Sequence, residues 1–256
     1  MRESFPGRVI RTAHRGRFQM LFVTLIMIAV ITPFVRQSVL GHLFFYGLLS
    51  VNLLAGVFAV SDQRRLAVLV AALVLIAFLA ATWSMLYEQG WSIFLSGGST
   101  ADLMSNTIAD LLAFIAFTAT AALILKKVLA PGPVDTEKMF AAVCVYLLSG
   151  VAWAFLYVLV YLNDPDSFAF AFDVSWVENS PGDTSSAFSL FCYFSFVTMT
   201  TLGYGDIAPT SDIARTLAWL QAVLGQLYVA ILIARLVGLH TQQFGDKSKD
   251  RPPSSD

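Results

Sequence analysis

The residues whose types and spacing could do chemistry are gathered in one stretch, Thr198-Met199-Thr200-Thr201-Leu202-Gly203-Tyr204-Gly205-Asp206. Gly203 and Gly205 stand one residue apart, and glycine reaches backbone angles closed to other residues, so successive carbonyls can be turned to one side there. The product is a ladder of backbone oxygens rather than a nucleophile or a base. Set around an axis by several copies of a chain, such a ladder can replace the hydration shell of a dehydrated cation. No comparable constellation occurs elsewhere in the sequence. His14, His42 and His240 are scattered, and Cys144 and Cys192 lie in separate apolar stretches. Buried reduced thiols are expected there in preference to a disulfide or a metal site. Neither enzyme chemistry nor a cofactor is expected.

The elements that must hold this stretch follow from composition. Of 256 residues, 57% are hydrophobic and only 13% charged, and the mean hydropathy is +0.71. Those shares lie far from an ordinary soluble domain, so an all-α membrane protein with a lipid bilayer as its surroundings is predicted. At 1.5 Å per residue, apolar runs near 18–35, 40–60, 66–85, 105–125, 139–162 and 213–239 are long enough to cross a hydrocarbon core of about 30 Å. The run at 185–199 is shorter and reads as a re-entrant helix. Irregular backbone at membrane depth is tolerated only where it is buried in protein or lines a watery cavity, which suits the glycine-bearing stretch that follows.

Charge placement orients these spans, because cytoplasmic loops accumulate Lys and Arg. With the N-terminus inside, six crossings put the arginines of 1–17, Arg64 and Arg65, then Lys126, Lys127 and Lys138, then Arg235 and the basic residues of the C-terminal tail in the cytoplasm. Only Arg36 and Arg215 fall outside, while the outer side collects acids, five of them within 163–184. A solvated loop is the default reading of that acidic run; repeated around one mouth, it would also raise the local cation concentration. The arginines ahead of the first apolar run could suggest a secretory signal, but the run is too long and no small-residue cleavage site follows, so a retained first helix is expected. The organisation expected is a cytoplasmic segment at 1–17, a four-helix bundle at 18–130, a module at 139–240 and a disordered cytoplasmic tail at 241–256. No soluble ligand-binding domain fits in that tail. A net charge of −1 gives no reason to expect a nucleic-acid partner. Without an internal repeat, a symmetric arrangement around an axis must come from further copies of the chain.

The stretch 201–206 resembles the signature of the potassium channel family, in which a Thr, an aliphatic residue, Gly, Tyr and Gly form a selectivity filter. Leu202 stands where that family most often has valine; the position lends its carbonyl, so the change bears only on packing behind the filter. The resemblance implies a homotetramer, each chain having three further copies of itself as partners. K+ would be coordinated at Thr201, Leu202, Gly203 and Tyr204, with Gly205 completing the filter and the Thr201 hydroxyl at the innermost site. It makes 185–199 a pore helix, whose negative C-terminal dipole end faces a waiting cation, and gives Thr200, Tyr193 and Asp206 supporting roles. Tyr193 and Phe194 fall where the voltage-gated branch carries two aromatics in a cuff behind the filter. The Tyr193 hydroxyl would hold the Asp206 carboxylate, or Tyr193 would simply pack in the membrane. Gly225 in the last span matches a gating hinge, with close helix packing an equal alternative.

Gln221 and Gln226 are polar at membrane depth and are expected to face protein or water. Arg235 near the cytoplasmic end can snorkel and is given no role. The specific resemblance covers 139–240; over 1–138 it is one of layout, six crossings with one pore loop. The fourth span carries no basic residue between Thr107 and Leu125, so gating by a charged fourth helix is not expected. Asp110 and His42 read as residues near the membrane interface rather than ligands.

Overall fold

A computed structural model describes residues 16–31, 47–56, 72, 76, 100–131, 135–178 and 184–249. The described elements are α1 (Arg17–Ile31), α2 (Gly47–Gly56), α3 (Thr100–Leu129), α4 (Thr136–Asn163), β1 (Phe168–Phe170), α5 (Ser175–Glu178), α6 (Thr184–Met199), β2 (Ile207–Pro209) and α7 (Asp212–Lys249). Three of the described helices, Thr107–Leu129, Thr136–Asn163 and Asp212–Arg235, are long and apolar enough to cross a membrane. The predominance of apolar helix accords with an all-α membrane protein. Of the expected span at 40–60 only 47–56 is described, and the expected span at 66–85 lies almost wholly outside the described residues, as does His42.

Helix ends follow local chemistry. The Asp135 carboxylate accepts the Lys138 N–H at 2.9 Å and caps α4, and Glu137 in the first turn meets the positive end of the helix dipole. The same helix stops at Asn163 because Pro165 follows: Asp164 is pushed out of the helical region to φ −150°, ψ 93°. Ser211 caps α7, its hydroxyl accepting the Ala214 N–H at 3.2 Å. Beyond Leu239, α7 runs on to Lys249, into the segment expected to be a disordered tail from 241. Once a long helix is nucleated, each added residue gains a hydrogen bond without a new nucleation cost, so a polar end can stay helical.

The hub is α4, against which α1, α3, α6 and α7 all pack. Within lipid the hydrophobic effect does little to bring helices together, so small residues and internal hydrogen bonds carry the association. In the first half of the chain, Asn52 of α2 is fully buried; its amide donates to the carbonyls of Leu48 and Thr24 and accepts from the Thr24 hydroxyl at 2.9 Å, tying α2 to α1. A Cβ at Gly56 would lie 2.5 Å from the Thr120 methyl, so α2 and α3 touch where only glycine fits. Asp110, expected near the membrane interface, is 3% exposed within α3. The cysteines are free and buried as expected.

After α4 the chain makes a single turn at Pro165–Ser167 and enters β1, which pairs antiparallel with β2 in the register Phe168↔Pro209, Ala169↔Ala208 and Phe170↔Ile207. An aromatic cluster lies under this ribbon. Phe168, Phe191 and Phe194 surround Tyr157, with centroids 4.9 Å apart for the edge-on Tyr157–Phe194 pair.

Candidate ion pathway

The chain reverses where α6 ends. The N–H groups of Thr200, Thr201 and Leu202 turn back to the carbonyls of Phe196, Thr198 and Val197 at 3.0, 3.0 and 2.9 Å. The Thr200 hydroxyl also donates to the Phe196 carbonyl at 2.7 Å, so Thr200 closes the helix end and releases the chain into extended form. Positive φ then recurs at every second residue: 59° at Thr201, 58° at Gly203 and 77° at Gly205. Alternating handedness turns successive peptide units the same way, where a strand would turn them oppositely. That is the backbone pattern a one-sided ladder of carbonyls requires. Among the described residues Thr201 alone has positive φ without being glycine. For a β-branched residue this stores about 1–3 kcal/mol of strain, of the kind kept where function needs the shape. Leu202 and Tyr204 are 54% and 67% exposed in the single chain.

Asp206, directly after the ladder, is held on three sides. Its carboxylate accepts the Tyr193 hydroxyl at 2.6 Å and the Ile207 N–H at 3.1 Å, and its carbonyl accepts the Ala171 N–H at 2.9 Å. Tyr193 thus makes the bond expected of it. Successive residues of a helix point about 100° apart, so Phe194, 5% exposed, turns away from Asp206 into the aromatic cluster on α4 and β1. The loop after β1 carries a related device: the Ser175 N–H and hydroxyl hold the exposed Asp173 carboxyl below its usual range.

Two glycines seat the end of α6. A Cβ at Gly225 would lie 2.6 Å from Met199 Cγ and 2.9 Å from the Met199 carbonyl oxygen, and one at Gly150 would lie 2.6 Å from the Phe196 ring. The structure gives Gly225 a packing contact within an unbroken α7. Met199 is further gripped from both flanking helices, its carbonyl accepting Gln226 Nε2 at 3.3 Å and the Tyr146 hydroxyl at 3.5 Å.

One turn back along α6, at Ser195, fully buried Gln221 bridges all three helices of the module. It accepts the Tyr157 hydroxyl at 2.7 Å and donates to the Ser195 hydroxyl and carbonyl at 2.7 and 3.1 Å, while the Ser195 hydroxyl donates to the Gly150 carbonyl at 2.7 Å. Sequence reading pointed Gln221 and Gln226 toward protein or water but missed Tyr157, Ser195 and Gly150. A polar residue at membrane depth announces that partners exist without naming them. Arg235 has more than snorkelling to do: its guanidinium donates to the carbonyls of Leu129 and Ala130, capping α3. Tyr228 adds a bond from α7 to the Ala142 carbonyl of α4 at 2.7 Å.

Residues 141–242 match a protein-family model described as ion channel. The match begins inside α4, ends inside α7 and takes in α6, the glycine-bearing stretch and the ribbon. No curated protein and no solved structure gave a match. The matched segment holds every element that builds the site above, and it supports an ion channel.

Proposed function

We propose that the chain is one subunit of a potassium-selective channel of the cell membrane, in which four copies surround an axis and conduct K+ passively. In this reading α6 is a re-entrant pore helix, α7 the inner helix, and Thr201–Gly205 the filter. Carbonyls of Thr201, Leu202, Gly203 and Tyr204 then take the place of the ion's hydration shell. Both chain ends lie in the cytoplasm, and the first part of the chain forms a peripheral bundle completing six crossings. The observation that carries the reading is the alternation of positive φ at Thr201, Gly203 and Gly205. Opening depends only weakly on voltage: steep dependence needs several charges moving in the field, each worth about 2.3 kcal/mol per 100 mV, and 107–125 carries no basic residue.

Planar-bilayer recording of the purified protein under opposing potassium and sodium gradients tests both points. The expected reversal potential follows potassium, and the open probability changes little with voltage. Gly203→Ala or Gly205→Ala is expected to abolish selectivity. Within a single chain nothing lies within 4 Å of either added Cβ, so the backbone angle is the first obstacle. A reversal potential indifferent to potassium, or selectivity unchanged in both variants, would overturn the filter assignment.

A further inference from the structure

The β1–β2 ribbon is no part of the ladder, yet it ends on it. Its register is extended by one step at each end: Ala171 N–H donates to the Asp206 carbonyl at 2.9 Å, and Thr210 N–H to the Ser167 carbonyl at 2.8 Å. In an antiparallel ladder bonded and non-bonded pairs alternate, so Ala169 and Ala208 form the bonded pair between those two. Phe168 and Pro209 then form a non-bonded pair, and Pro209, which has no N–H, sits where the ladder needs none. The far strand is anchored. Phe168 is 4% exposed, its ring 4.7 Å from that of Phe191 and 5.6 Å from that of Phe194, and the Phe170 ring meets Tyr161 edge-on. The Thr210 hydroxyl bonds the Asp166 carbonyl and closes the other end of the ribbon.

Asp206 follows Gly205 without an intervening residue, so whatever fixes Asp206 fixes the outer end of the ladder. Tyr193 fixes only its side chain. The peptide itself is held by Ala171, on a loop that sequence reading treated as solvated acidic connection. Glycine at 205 leaves the adjoining peptide free to rotate unless something outside the ladder restrains it. Building on the channel reading proposed above, we infer that the ribbon is a splint, with Ala171 as a positioning residue whose N–H keeps the outermost carbonyls aimed at the ion. Loosening the splint shortens the time the ladder stays conductive; tightening it prolongs that time. Ions seated in the ladder oppose its collapse by mass action, so external potassium compensates for a loosened splint.

The test is single-channel recording of the full chain carrying Ala169→Cys and Ala208→Cys. A hydrogen-bonded pair has its Cα atoms about 5.5 Å apart, within disulfide range, and both native alanines are small. Mean conducting bursts are expected to lengthen about fivefold on oxidation, the scale of one net hydrogen bond, and to return to the starting value on reduction. The parent, with Cys144 and Cys192 buried, is expected to respond to neither reagent. Ala171→Pro, which removes the donor, is expected to shorten bursts by a similar factor, and raised external potassium to restore them. Unchanged bursts in channels proven by mass to be cross-linked would overturn the inference, as would shortening in Ala171→Pro that potassium does not relieve. A parent without potassium-selective current would instead overturn the channel reading, and the inference with it.

Discussion

Helices α4 and α7 are nearly equally apolar, yet 56% of the apolar window of α4 is buried in the chain against 11% for α7. The difference lies in what each helix meets. α4 is surrounded by the chain's own elements and carries Gly150, Tyr157 and an aromatic lining to receive them. α7 touches the module along one edge through Gln221, Gly225, Gln226 and Tyr228, and leaves Trp219, Val223, Leu227 and Ile231 exposed. Hydropathy says that both belong in a membrane but does not distinguish a helix that has found its neighbours from one whose neighbours lie outside the chain. In the proposed architecture those neighbours are other copies and the cavity they enclose.

The largest expected effect bears on that contrast as a whole. Native mass spectrometry of the purified protein is expected to return a tetramer; a monomer as the conducting species would leave the exposed side of α7 a lipid face and dissolve the distinction. Next come the two glycines that seat α6. Gly225→Ala and Gly150→Ala each introduce a methyl group under 3 Å from an atom of α6, at a cost of about 1–3 kcal/mol for overpacking. Gly225→Ala should cost more, because one atom it meets is the Met199 carbonyl oxygen and not a side chain. Thermal dissociation of the assembly in detergent reads both, and the reverse order would mean that α4 rather than α7 sets the depth of α6.

Tyr157→Phe removes the only bond between α4 and Gln221 without changing shape. A loss of about 1 kcal/mol is expected in the same assay, and no loss would mean that the Gln221 bridge holds through Ser195 alone. The smallest effect lies outside the membrane, at Asp173. The Ser175 contacts depress its folded-state pKa. Their stabilisation is therefore present above the ordinary carboxyl range and lost as pH falls through the depressed value. A titration of the Ser175 amide signal should have its midpoint below about 3.9, the unperturbed aspartate value. Ser175→Ala should return it only part of the way, since the backbone bond remains.

Much of this was legible in the sequence, for reasons that can be named. The helices at 139–162 and 185–199 were read from apolar length, and α4 and α6 fall within a few residues of them because Asp135, Pro165 and the residues after Met199 mark their ends. The backbone of 201–205 was legible at its glycines, whose positions predict positive φ, but not at Thr201, whose angle is imposed by the helix end before it. The ribbon was illegible: three-residue strands carry no periodicity, and the partner of Phe170 lies at Ile207, across the whole of α6. The reach of α7 was underestimated because composition judges a segment alone, whereas a helical end inherits the order of what precedes it.

The length of α7 makes it a lever. At 1.5 Å per residue its 38 residues extend about 57 Å, well beyond a hydrocarbon core of about 30 Å. It is tied to the rest of the chain at Gln221, Gln226, Tyr228 and Arg235, so about 21 Å of helix extends past the last tie toward Lys249. A sideways force on the distal end therefore acts first about Arg235, whose bonds to the Leu129 and Ala130 carbonyls serve as its pivot. Anything that grips the far end of α7 must turn the helix about that pivot before it disturbs the turn beneath Met199.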